Sequence, residues 1–149
     1  MRRKNIDSSE RFLDRKFWRI ADEYEVDKAI RDGAKTDICD EFNLTVLHHA
    51  IKWSKSVKAI ERLLNERLNL EAFDTAGHTP LHYAAATKTP EIIELLLDRG
   101  ANATAITKDG HTPFNLVGVN RNLPATSRVY QRLRKANQQV KRTYFKKTV

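Results

Sequence analysis

The chain has 149 residues, with 27 Lys and Arg against 19 Asp and Glu, a net charge of +8 and 40% hydrophobic residues. Its length is that of one domain. The single Cys39 excludes an internal disulfide and fits a reducing compartment, and no run approaches the roughly 20 apolar residues of a membrane span.

Residues 1–11 read as a polar lead. Met1-Arg2-Arg3-Lys4 is basic, but no apolar run follows it, so it is not a secretory signal. Asp7, Ser8 and Ser9 are candidate N-caps for a helix reaching about Asp22, with Phe12, Leu13, Phe17, Ile20 and Ala21 spaced for one wide apolar face. A short helix over 26–32 then stops at Gly33. Helical patterning resumes after Thr45 and again through Ala59, Ile60, Leu63 and Leu64. Thr79-Pro80 opens a helix with Leu81, Ala84 and Ala85 inward, and Thr89-Pro90 opens another that buries Ile92, Ile93, Leu96 and Leu97 before Gly100. Residues 120–124 read as a loop and Ser127 as a cap. Val129, Leu133, Ala136 and Val140 then form a narrow helical stripe.

These elements repeat at a fixed spacing. Ala59-Ile60-Glu61-Arg62-Leu63-Leu64-Asn65 returns one period later as Ile92-Ile93-Glu94-Leu95-Leu96-Leu97-Asp98, with Ala59 aligned to Ile92. His78-Thr79-Pro80-Leu81 recurs at the same spacing as His111-Thr112-Pro113-Phe114. It also has a forerunner in Leu44-Thr45-Val46-Leu47, followed by His48, at a spacing longer by a single position. The extra position places a small insertion near 53–56. A 33-residue period with T-P-L-H-x-A-A, followed by a second helix ending L-L-L-x-x-G-A, resembles the ankyrin repeat. Gly77, Thr79, Pro80, Leu81, His82, Ala84, Ala85, Gly100 and Ala101 carry the match, which extends in degraded form over about residues 12–138.

The resemblance implies an all-α ankyrin-repeat solenoid of paired antiparallel helices joined by β-hairpin-like loops. The repeats fall at about 12–40, 41–73, 74–106 and 107–140, with a basic tail at 141–149. The first repeat reads as a divergent cap. Residues 35–43 become an extended hairpin, and Thr45 caps the next inner helix. His48 and His82 match the family's TPLH histidine, which usually links backbone groups of neighbouring loops; the other reading is a ligand role, for which zinc would need three or four convergent ligands. Arg67 stands where Gly100 stands in the next repeat, so that helix either carries left-handed strain or ends differently. Lys88 likewise replaces the usual interhelical glycine.

Neither a Gly-rich phosphate loop nor a G-x-S-x-G, H-E-x-x-H or Cys–His motif is present, so no catalytic residues, metal ligands or cofactor are expected. Ankyrin arrays are mostly protein-binding scaffolds that use a concave groove of hairpin tips and inner helices. Carried over position by position, the groove is Glu41, Phe42, Leu44, Lys52 and Trp53, then Thr75, Ala76, His78, Ala86 and Thr87, then Lys108, Asp109, His111, Val119 and Asn120. Phe42, Leu44 and Trp53 are apolar where solvent is expected. They are either partner anchors or turned inward, Trp53 by the insertion and Phe42 onto the first repeat.

Charge is unevenly placed. Residues 110–149 hold nine basic residues and no acid, while residues 1–109 hold the other 18 basic residues and all 19 acids. The last helix presents Arg128, Arg132, Arg134, Lys135, Lys141 and Arg142. Two functions follow. One is a non-enzymatic adaptor or inhibitor, monomeric and cytoplasmic, that binds a partner protein through the groove. In this it is similar to stand-alone ankyrin proteins of intracellular bacteria and viruses that act on host proteins. The other is a docking module whose basic helix and tail bind acidic protein, anionic membrane or nucleic acid, with the nucleus as a second location.

Overall fold

The computed structural model describes residues 9–87, 90–117, 124 and 126–147, and the side chains of the last helix as far as Thr143. The expected loop at 120–124, the exposed positions Val119 and Asn120, Lys88 and the caps Asp7 and Ser8 lie outside these residues, apart from Pro124. The chain divides into two compact units, 1–69 and 70–149.

In the first unit a 3₁₀ turn at Glu10–Leu13 is followed by α1 (Arg15–Ile20), α2 (Glu23–Arg31), α3 (Val46–Trp53) and α4 (Val57–Leu63). The single opening helix expected from the apolar spacing is broken. Asp14 takes an extended conformation (ψ 120°), and its carboxylate accepts the Lys16 N–H at 2.8 Å, restarting the chain as α1. The restart shifts the helical phase, so Trp18 is fully buried and Ile20 is 85% exposed rather than part of the core. Ser9 does not cap this segment; its hydroxyl accepts the Lys35 N–H at 2.8 Å instead. Trp18 stacks on Phe12 at 5.5 Å and donates its indole N–H to the Phe12 carbonyl at 2.8 Å. Phe17 meets both rings edge-on.

α2 begins at Glu23, earlier than the pattern suggests, because the Asp22 carboxylate caps it at the Glu25 N–H. It ends at Gly33 (φ +87°), where Gly33 and Ala34 donate back to Ile30 and Ala29, the paired bonds of a left-handed helix stop. α1 packs on α3 and α2 on α4. Arg62 on α4 reaches Asp27 on α2 at 2.8 Å and Glu66 at 2.7 Å. The insertion lies in the α3–α4 loop, where Ser56 caps α4 through the Ala59 N–H at 3.1 Å. α4 then ends without a left-handed residue: Leu64 stays right-handed and tight turns follow, so Arg67 carries no positive φ.

The second unit holds α5 (Pro80–Thr87), α6 (Pro90–Asp98), α7 (Pro113–Leu116) and α8 (Arg128–Lys147). α5 packs on α6 and α7, and α8 packs on α6 and α7. Gly100 (φ +92°) closes α6 with the same paired bonds as Gly33. One period after Gly100 the chain has Leu133, and nothing stops the helix, so α8 continues for 20 residues.

The hairpin-like loops share one design. Asp40, Asp74 and Thr107 each open a turn and bond the backbone at Leu44, His78 and His111. The Asp40 carboxylate also accepts the Phe42 and Leu44 N–H groups, and Asp74 accepts those of Ala76 and His78. No strand forms among the described residues; one isolated bridge pairs Cys39 with Thr45. The turn's left-handed position holds Gly77 (φ +87°), Gly110 (φ +80°) and, in the first unit, Asn43 (φ +62°). Asn tolerates this conformation better than other side chains. Asn43→Ala is therefore expected to cost about 1 kcal/mol in urea unfolding, and Asn43→Gly to cost nothing measurable.

Candidate functional site

The inner helices are fixed by their TPLH-type histidines. His82 is fully buried. Its Nδ1 accepts the Thr79 N–H at 3.1 Å and its Nε2–H donates to the His111 carbonyl at 3.0 Å. One ring thus caps α5 and holds the loop of the next repeat, as the resemblance implied. Burial pushes the His82 pKa down to about 4, against the opposing pull of the His111 carbonyl, so the ring stays neutral. His48 makes the same local contact, its Nδ1 accepting the Thr45 N–H at 3.1 Å. No group of three or more His, Cys, Asp or Glu arranged to hold a metal occurs among the described residues.

On the exposed side of α5 the second unit has a cavity of 280 Å³, lined by His78, His82, Tyr83, Ala86, Thr87 and Leu116. Its walls are mostly carbon. His78 stands edge-on to His82 at 5.8 Å and to Tyr83 at 5.9 Å. The Tyr83 hydroxyl donates to Asp74 Oδ2 at 2.8 Å, and His78 Nδ1 lies 3.4 Å from Asp74 Oδ1. Burial alone would raise the Asp74 carboxyl, but the His78 N–H, the Tyr83 hydroxyl and the Ala76 N–H outweigh it and hold it below its ordinary value. A carboxylate thus anchors both aromatic walls from beneath. Thr87 is exposed at the rim, its hydroxyl turned back to the Tyr83 carbonyl at 2.7 Å.

Of the groove positions expected in this unit, the structure brings His78, Ala86 and Thr87 together. Thr75 is exposed at the hairpin tip. Lys108 and His111 are exposed but border other cavities. Tyr83 and Leu116 were not expected. Their signal was the repeat register: Leu116 is Tyr83 carried forward by one period, and His49 occupies the corresponding place in the repeat before.

In the first unit Phe42 is 56% exposed, while Trp53 is half-buried with the Lys52 ammonium 5.2 Å from its ring centre. Leu44 is not solvent-facing as expected: it is 7% exposed and belongs to the core. The Asp40 carboxylate pulls the Leu44 N–H into the turn, which directs the side chain inward. His49 is likewise buried, its Nε2 2.9 Å from Asp40 Oδ2. Burial would raise the Asp40 carboxyl, yet the Leu44 N–H, the His49 ring and the Phe42 N–H hold it below its usual value.

The basic helix is only partly an open patch. Arg132 bonds Asp98 at 2.6 Å, and Arg128 approaches Glu94 at 3.4 Å, so both are engaged with α6. Arg134, Lys135, Lys141 and Arg142 are exposed and make no ion pair among the described residues. No helix among those residues is long and apolar enough to cross a membrane.

A search of curated proteins finds no match to the chain. The family model of ankyrin repeats, in three copies, matches residues 20–118. That span takes in α2 to α7, with the buried Thr–His caps and the hairpin-like turns at their expected places; the chain belongs to the ankyrin-repeat family.

Proposed function

We propose that this protein is a non-enzymatic adaptor or inhibitor that holds a partner protein on the exposed faces of its inner helices. Ankyrin repeats are generally protein–protein interaction modules and typically non-catalytic. The observation that carries the finer reading is the 280 Å³ cavity walled by His78, Tyr83, Ala86 and Leu116. A mostly apolar pocket with a few fixed polar groups suits one large apolar side chain of a partner. Asp74 beneath both rings keeps the walls in place without partner contact, so little ordering is required on binding. In the first unit, exposed Phe42 and half-buried Trp53 are the matching anchor candidates.

The test is affinity capture from cell lysate with three proteins: wild type, Thr87→Arg, and the Phe42→Ala/Trp53→Ala pair. Thr87 is exposed, so arginine there blocks the pocket without opening the core. Both variants are expected to reduce recovery of the same partner at least tenfold, with unchanged circular dichroism. Wild-type recovery by both variants rejects the site.

Exposed Arg134, Lys135, Lys141 and Arg142 support a second reading, in which α8 docks on an anionic surface. Contacts from Lys and Arg to phosphates weaken steeply between about 50 and 200 mM salt, whereas a pocket-held side chain weakens little. Capture at both salt concentrations separates the two readings.

A further inference from the structure

We propose that the open edge of the last hairpin-like loop, at Lys108–His111 beside α8, is a docking seat for an extended acidic peptide segment of a partner protein. Within the second unit this kind of seat is already used once. The loop at 107–111 sits on the loop at 74–78: the Lys108 N–H donates to the Ala76 carbonyl at 3.1 Å, and His82 donates to the His111 carbonyl at 3.0 Å. The fit is close, since a Cβ on Gly77 would lie 2.9 Å from the Lys108 nitrogen.

One repeat later the same groups recur without a visitor. Asp109 takes the place of Ala76, Gly110 that of Gly77 and Asn115 that of His82. Nothing lies within 4 Å of a Cβ built on Gly110, and no backbone N–H among the described residues reaches the Asp109 carbonyl. Asn115 Oδ1 accepts the Thr112 N–H at 2.8 Å, as His82 Nδ1 accepts that of Thr79. Its NH2 is thereby left as the outward donor, the role His82 Nε2 plays toward His111.

The next hairpin is missing because α8 does not stop. Leu133 and Arg134 occupy the register of Gly100 and Ala101, and the helix continues to Lys147. What remains is a cavity of 380 Å³ between Gly110, Thr112 and Asn115 on one side and Asn137, Val140 and Lys141 on the other. Asn137 is only 6% exposed, with its carboxamide oxygen 3.0 Å from the Thr112 hydroxyl. The seat thus offers a free carbonyl, two carboxamides and an apolar floor, the requirements for adding a length of extended backbone to an edge. Lys141 lines the cavity, the adjacent Lys108 and Asp109 side chains offset one another, and no acid follows Asp109 in the sequence, so the charge left at the seat is positive: an acidic segment fits and a basic one is repelled.

The proposal does not depend on the His78 pocket. Its test uses the isotope-labelled full-length chain and three synthetic peptides. One carries the chain's own 105–113 sequence with Lys108→Glu, the second keeps the lysine, and the third is a scramble of the acidic one. Backbone amide shifts are expected to move at Gly110, Asn115, Asn137 and Lys141 with the acidic peptide. The lysine peptide should bind at least fivefold more weakly and the scramble not at these sites. Asn115→Leu should weaken binding about tenfold and surface Lys141→Glu should reverse the peptide preference, while Thr87→Arg leaves it unchanged. The proposal is overturned by no shifts at these amides, by equal shifts with the scramble, or by concentration-dependent shifts there without peptide, which would assign the seat to a second copy of the chain.

Discussion

Trp18→Ala is expected to remove about 4 kcal/mol from the stability of the first unit, near the middle of the range for truncating a buried aromatic. Trp18 is fully buried, stacked on Phe12 at 5.5 Å and crossed by Phe17 at 5.1 Å. Alanine would lose the ring area and leave a cavity in its place. It would also leave the Phe12 carbonyl without its indole donor. Trp18→Phe keeps the stack and loses the hydrogen bond, so it should cost about 1–2 kcal/mol. Urea unfolding of the two variants followed by circular dichroism separates packing from hydrogen bonding. Equal losses would show that the indole N–H carries the contact.

His82→Leu is the second large effect, about 3 kcal/mol at neutral pH, because it strands the buried Thr79 N–H and the His111 carbonyl together. It should also change the pH dependence. The folded ring has its pKa lowered to about 4, against 6.5 in the unfolded chain. Between those values the unfolded state binds a proton that the folded state refuses. The contribution is therefore complete above about pH 6.5 and is lost as the pH falls toward 4, by at most about 3 kcal/mol. Asp40 and Asp74 have lowered pKa values, so their contributions persist to lower pH and are lost only as the pH falls below their ordinary value of 3.8. Urea unfolding at pH 7 and pH 4.5 should show wild type losing stability over the window that His82→Leu does not. Parallel losses in both proteins would contradict the assignment.

The repeat architecture was legible because its signals are local and recur: Thr-Pro at helix starts, a histidine one turn into the inner helix, glycine at the stop. The same register that exposed the family also contained Tyr83 and Leu116, whose place in the pocket depends on two inner helices lying side by side. What the pattern hid depends on contacts distant in sequence. Asp14 restarts the first helix and exchanges Ile20 for Trp18 in the core, which apolar spacing alone does not reveal. Leu44 looked exposed until the Asp40 turn drew it inward. Arg67 raised the question of strain, and α4 answers it by ending right-handed. The sequence places basic side chains on both sides of the apolar stripe of α8, but Glu94 and Asp98 on the neighbouring helix engage Arg128 and Arg132. Acids contributed by another element cannot be placed from the stripe itself.

In the proposed function a partner protein sits on the inner-helix pocket rather than on the basic helix. Site-specific photo-crosslinking tests it most directly. A photoreactive residue is placed either at Thr87 on the pocket rim or at Gln138 on the exposed face of α8, both solvent-facing. Each protein is then irradiated with a partner recovered by the wild-type chain. Crosslinking is expected from Thr87 and not from Gln138, undiminished at about 200 mM salt. Crosslinking from Gln138 alone would contradict it.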